Sequence, residues 1–139
     1  MSNHLHLIAK AKDGYKLSEI LRDFKKFTSK AILAQIQEIT ESRMDWMLYR
    51  FKNAGNHLKL IKQYKFWKDD NHAVLLENSE MMKQKLDYIH ANPVVADIVA
   101  EDYEYKYSSA KYYANQPTII ICERLECVDG KKRYIIKSE

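Results

Sequence analysis

Glycine and proline are scarce, at three and two in 139 residues. That excludes a long flexible or polyproline linker and fits one compact domain. Cysteine is scarce too: Cys122 and Cys127 form no CxxC pair, so neither a disulfide frame nor a cysteine zinc site is written here. There is no secretory core and no long apolar run, because His4, His6 and Lys10 interrupt the first apolar stretch. These absences predict a soluble, cytoplasmic protein with no membrane partner. Large charge of one sign is also missing. The 23 basic and 19 acidic residues leave a net charge of +4, which permits a nucleic-acid partner without requiring one.

What is present is a 46% hydrophobic share, enough for a core of ordinary size, and ten tyrosines. Tyrosine packs in cores, stacks on bases and can act as a nucleophile.

Alternation over residues 3–10 predicts a strand, with Leu5 and Leu7 on one face and His4, His6 and Ile8 on the other. The leucine face is the one expected to enter the core. Asp13-Gly14 marks a turn. From Ser18 to about Ile39 the apolar residues Leu17, Ile20, Leu21, Phe24, Phe27 and Ala31 recur at helical steps. The opposite face carries Arg22, Lys25, Lys26, Ser29 and Lys30. It reads either as solvated surface or as a phosphate-contacting face. Met44 to Phe51 predict a short amphipathic helix, broken at Asn53-Ala54-Gly55-Asn56. Strands are expected near Phe66-Trp67 and at Ala73–Leu76. Ser79 is the expected N-cap of a helix that Pro93 should stop at Ala91 or Asn92. A short helical or turn segment is expected over Val95–Val99, and a loop with a short helix over Tyr103–Tyr113. In the tail, Thr118–Cys122 and Lys132–Ile136 flank Asp129-Gly130 and predict a hairpin.

Two patterns carry chemistry. In His4-Leu5-His6, a strand would send both imidazoles from one face, close enough to grip one metal ion. A bare His-x-His is, however, a common incidental pattern. In Lys85–Pro93, the apolar stripe is Met82, Leu86 and Ile89, while Lys85, Tyr88 and Asn92 share another face. Taken alone, that face reads as a tyrosine packed against a neighbouring element and a polar residue at the helix end before proline. His90 points away from Tyr88 and is not expected to be a ligand. His57 and His72 are expected at the surface or in loops. Tyr107, Tyr112 and Tyr113 are open to either base stacking or core packing.

Together, His4-Leu5-His6 and Tyr88-Ile89-His90-Ala91-Asn92-Pro93-Val94 resemble the single-tyrosine HUH transposases of small insertion sequences, the IS200-like group. The likeness is nearest to their REP-associated tyrosine transposase relatives. Phe24-Lys25-Lys26-Phe27-Thr28-Ser29, Phe66-Trp67 and Tyr107-Ser108-Ser109-Ala110 follow in matching order. The similarity covers residue 1 to about residue 113. It implies an α+β, ferredoxin-like HUH fold: a small antiparallel sheet carrying the histidines, with helices packed on it. Residues 1–115 would be the catalytic domain and 116–139 a β-hairpin extension. The family has a strand and a helix ahead of its histidine motif, so the resemblance also implies an N-terminally truncated member.

The resemblance further implies that His4 and His6 are metal ligands and that Asn92 completes the site. Tyr88 would be the nucleophile and Mg²⁺ or Mn²⁺ the working ion. The expected function is cleavage and rejoining of single-stranded or hairpin DNA through a 5′-phosphotyrosine, in transposition or repeat-hairpin processing. A homodimer is expected, with Arg22, Lys25, Lys26 and Lys30 as DNA contacts. The alternative is a catalytically inactive, truncated DNA-binding remnant.

Overall fold

The computed structural model describes residues 3–39, 42–56, 64–128 and 133–136. The chain divides into two compact units, one comprising Met1–Ile8 with Val74–Glu139 and the other Ala9–Ala73. Helices dominate: α1 (Leu17–Glu38), α2 (Met44–Gly55), α3 (Ser79–Val95) and the short α4 (Ala110–Tyr113), with a 3-10 turn at Asp102–Glu104. Among the described residues the only β pairing is a hairpin of β1 (Leu125–Val128) and β2 (Arg133–Ile136), antiparallel with Leu125 opposite Ile136.

The α+β expectation is therefore overturned: no antiparallel sheet carries the histidines. Residues 4–10 form neither helix nor strand, and no described strand lies beside them to complete a ladder. Their two faces divide as the alternation predicts, with the opposite outcome for the leucines. Leu5 and Leu7 are 54% and 60% exposed, while His6 and Ile8 are half-buried. The segment turns its histidine face toward α3 and leaves the apolar face to solvent. Neither Phe66-Trp67 nor Ala73–Leu76 forms a strand. Asp70 and His72 adopt left-handed φ values of 60° and 45°, and the Asp70 carboxylate accepts from the His72 amide at 3.0 Å. That tight turn interrupts any extended run between the two segments.

The second unit joins α1 and α2 with the Phe66-Trp67 segment. The Trp67 indole donates to Thr28 Oγ1 at 3.0 Å, and the Phe66 ring lies 5.2 Å from that of Phe51. Its apolar stripe is only partly covered: on α1, Phe27 is 73% exposed and Ile36 is the single buried residue. A unit this small has too much surface for its volume to enclose every apolar side chain.

In the first unit, Asn78 rather than Ser79 caps α3, its side-chain oxygen accepting from the Met81 amide at 2.8 Å. Pro93 does not end the helix. It sits buried in the last turn, where the donor it lacks leaves one carbonyl less bonded, and the helix runs on to Val95. The stop comes from Asp97, left-handed at φ 52°, with Asp97 N–H on Val94 O and Ile98 N–H on Pro93 O, both at 2.9 Å. This pair of bonds is the Schellman closure.

The tail hairpin starts later than expected, because Thr118–Cys122 is not strand. Arg124 fixes it to α4. Its guanidinium donates to the Tyr112 and Tyr113 carbonyls and to Asn115 Oδ1 at 2.8, 3.2 and 2.9 Å, and lies over both tyrosine rings. The Tyr113 hydroxyl accepts from the Leu125 amide at 2.9 Å. The expected turn residues Asp129-Gly130, like His57, lie outside the described residues. No helix among the described residues is long and apolar enough to cross a membrane.

Candidate active site

Tyr88 and Asn92 stand one turn apart on α3, and residues 4–8 bring His4 and His6 against that face. The Asn92 side-chain amide donates to Nε2 of His6 at 3.1 Å, between residues 86 positions apart in sequence. The Tyr88 ring meets the His6 imidazole edge to face, with centroids 5.5 Å apart. The His4 and His6 rings are 5.0 Å apart, nearly perpendicular. All four residues belong to one compact unit, so their placement does not depend on how the two units are arranged.

The hydrogen bonds fix the imidazole tautomers. His4 Nδ1 lies 2.6 Å from Asn3 Oδ1. A carbonyl oxygen only accepts, so Nδ1 is the nitrogen that donates. His6 Nε2 accepts from Asn92, so its proton is on Nδ1. Burial, and then the neighbouring His4, push the His6 pKa below its ordinary value. Near neutral pH His6 therefore presents an unprotonated nitrogen, the form that ligates metals. Tyr88 is 56% exposed, so a bulky substrate can reach its hydroxyl.

Imidazole nitrogen and amide oxygen are donor types that divalent cations accept. Ligands about 2.1 Å from a metal and 90° apart lie about 3.0 Å from each other. The His6–Asn92 separation of 3.1 Å matches that spacing. Rotating the amide by 180° would bring Oδ1 to the position of Nδ2, facing His6 Nε2. Among the described residues no cluster of three or more His, Cys, Asp or Glu competes as a metal site.

His90 is the residue that sequence reasoning undervalued. It is only 8% exposed; its Nε2 lies 2.9 Å from Ser109 Oγ and its ring packs on Tyr113 at 5.2 Å. It ties the far face of α3 to α4. The signal was present in the two-residue spacing. Tyr88, His90 and Asn92 alternate around the helix, so a buried His90 turns both neighbours outward. In Tyr107-Ser108-Ser109-Ala110, Ser109 meets His90 while buried Ser108 accepts from the Ala110 amide at 3.1 Å, opening α4.

The four basic residues expected at DNA are on α1, in the other unit. Arg22 is engaged by Asp23 at 2.8 Å, Lys25 donates to the Lys68 carbonyl at 3.2 Å, and Lys26 and Lys30 are exposed. No protein-family model, curated protein or solved structure matches the chain.

Proposed function

We propose that the protein cleaves and rejoins single-stranded DNA through Tyr88, in the manner of the single-tyrosine HUH transposases that its motifs resemble. The observation that carries the reading is the meeting of His6 with both Tyr88 and Asn92 across 86 positions of sequence. Tyr49 and Asn53 on α2 share the same one-turn spacing, yet the histidine that the motif singles out meets the α3 pair.

In this reading His4, His6 and Asn92 hold Mg²⁺ or Mn²⁺. A bound cation would neutralise charge on the scissile phosphate and polarise its phosphorus, worth several kcal/mol at the transition state. The Tyr88 hydroxyl loses its proton to solvent and its oxygen bonds to phosphorus. The bond from phosphorus to the 3′ oxygen breaks, and that oxygen leaves as a protonated 3′-hydroxyl. The 5′-phosphotyrosine keeps the phosphodiester energy, so the reverse attack rejoins a strand without a nucleotide cofactor. A cytoplasmic homodimer is part of the same proposal.

The test is covalent capture. With Mn²⁺ or Mg²⁺, a single-stranded oligonucleotide containing a foldback hairpin should become attached to the protein and survive denaturing electrophoresis. Tyr88→Phe should form no adduct, and His6→Ala should reduce it by about tenfold or more. An undiminished adduct with Tyr88→Phe removes Tyr88 as nucleophile. One observation favours the second reading, a protein that binds DNA without cleaving it. No described strand braces the histidine segment, so among the described residues the imidazoles are held by side-chain contacts alone. That reading predicts salt-sensitive binding with no adduct from the unmutated protein.

A further inference from the structure

The second compact unit contains a groove of about 460 Å³, within the roughly 300–1,000 Å³ typical of ligand sites. Its apolar wall is Phe66 and Trp67, held in place by the Trp67–Thr28 hydrogen bond and by ring contacts between Phe66 and Phe51 and between Trp67 and Phe24. Its rim is cationic. Arg50, Lys65 and Lys68 line it against one acidic residue, Asp69, which pairs with Lys65. The aromatic surface continues beyond the groove. Arg50 lies over the Trp46 ring at 5.8 Å, and Trp46 and Tyr49 on the same helix are 60% and 64% exposed.

We propose that this groove and the adjoining face of α2 bind unpaired bases of single-stranded DNA. The bases would stack on the aromatic rings, with Arg50 and Lys68 on the phosphates. Flat apolar faces flanked by fixed cations suit a ligand that alternates planar rings with anions. A mononucleotide would fill the groove alone, whereas the exposed Trp46 beneath Arg50 extends the surface along α2 and favours a strand. The choice of DNA rests on the proposed cleavage activity; the groove itself does not involve Tyr88.

The experiment uses the full chain carrying Tyr88→Phe, in EDTA. A fluorescein-labelled oligothymidylate of about 12 nucleotides, too simple to form a hairpin, is titrated by anisotropy over a range of salt. Binding should quench tryptophan fluorescence. Arg50→Glu with Lys68→Glu should weaken it by about tenfold or more. It should also flatten the log–log salt dependence by about 1.4, at about 0.7 per phosphate contact. If circular dichroism shows that the reversed variant is unfolded, Arg50→Gln with Lys68→Gln gives the same reading through the salt slope alone. Trp46→Leu should weaken binding about fivefold or more, as loss of one stacked base does. Unchanged affinity and slope in the charge variants overturn the proposal. So does equal competition by oligoglutamate of matched charge, which would make the site a simple anion patch, or tighter binding of oligouridylate. An intact adduct in the Tyr88 protein with unaltered binding in the groove variants sinks this inference and leaves the cleavage reading standing. Groove-dependent binding without any adduct does the reverse.

Discussion

Replacing His90 and Ser109, singly and together, tests whether the far face of α3 is what holds the candidate site in register. His90 is 8% exposed, and its polar side-chain contact among the described residues is the 2.9 Å bond to Ser109. Ser109→Ala leaves a buried imidazole nitrogen unsatisfied, costing about 1–2 kcal/mol. His90→Ala strands the hydroxyl and removes a ring packed on Tyr113, costing about 2–3 kcal/mol. The double variant should cost less than the sum by about 1 kcal/mol, because the second change removes a group already without its partner. Urea unfolding in EDTA gives all four free energies. Additivity within about 0.3–0.5 kcal/mol would mean the contact is not energetically real. The same pair sets a pH dependence. Burial pulls the His90 pKa below 6.5, against a weaker upward pull from Asp102 and Asp87. The unfolded chain therefore takes up its proton first. Stability contributed by neutral His90 is complete above about pH 6.5 and falls as pH drops from there to the lower folded-state pKa, below which it is flat. The decline should shrink in His90→Asn, and an unchanged profile in that variant would remove His90 as its source.

Arg124→Lys should destabilise the first unit by about 1–2 kcal/mol, since one Nη2 group serves all three acceptors while the planar guanidinium covers two tyrosine rings, a combination that a point-like ammonium cannot reproduce; no change in the urea midpoint would contradict that role. Asp97→Gly should stabilise by about 0.5 kcal/mol, because φ of 52° strains an L side chain and not glycine; a lower thermal midpoint would show that the aspartate carries some other contact.

The helices were legible because each rests on a local period. The α1 stripe from Leu17, the Met44–Phe51 pattern and the Met82–Leu86–Ile89 stripe all fall inside observed helices. Their ends were less so. Asn78 and Ser79 are both good caps, and only the bond to Met81 decides between them. Pro93 misled because a proline in the final turn costs one bond, whereas the Schellman closure at Asp97 satisfies several orphaned carbonyls at once. The strands failed for a different reason. A strand is a pairing and not a local property, and alternation in residues 3–10 or the apolar run at Ala73–Leu76 cannot say whether a neighbour exists to complete the ladder. The same limit hid the Arg124 clamp, which becomes visible only once α4 and β1 are side by side.

The candidate site nevertheless came together without the sheet that was expected to build it, and the geometry of α3 explains how. An advance of two residues turns a helix by about 200°, so His90 and the pair Tyr88 and Asn92 occupy opposed faces. Anchoring His90 on Ser109 and Tyr113 commits the other face to whatever lies outside, and a short segment suffices to meet it. That segment also separates its two faces as a strand does, which is why turning His6 toward Asn92 obliges Leu5 and Leu7 to face solvent. The exposed leucines and the assembled histidine pair are thus one structural fact. A change that buried Leu5 by rotating the segment would separate His6 from Asn92, so the apolar exposure is a necessary companion of the site and not an independent defect.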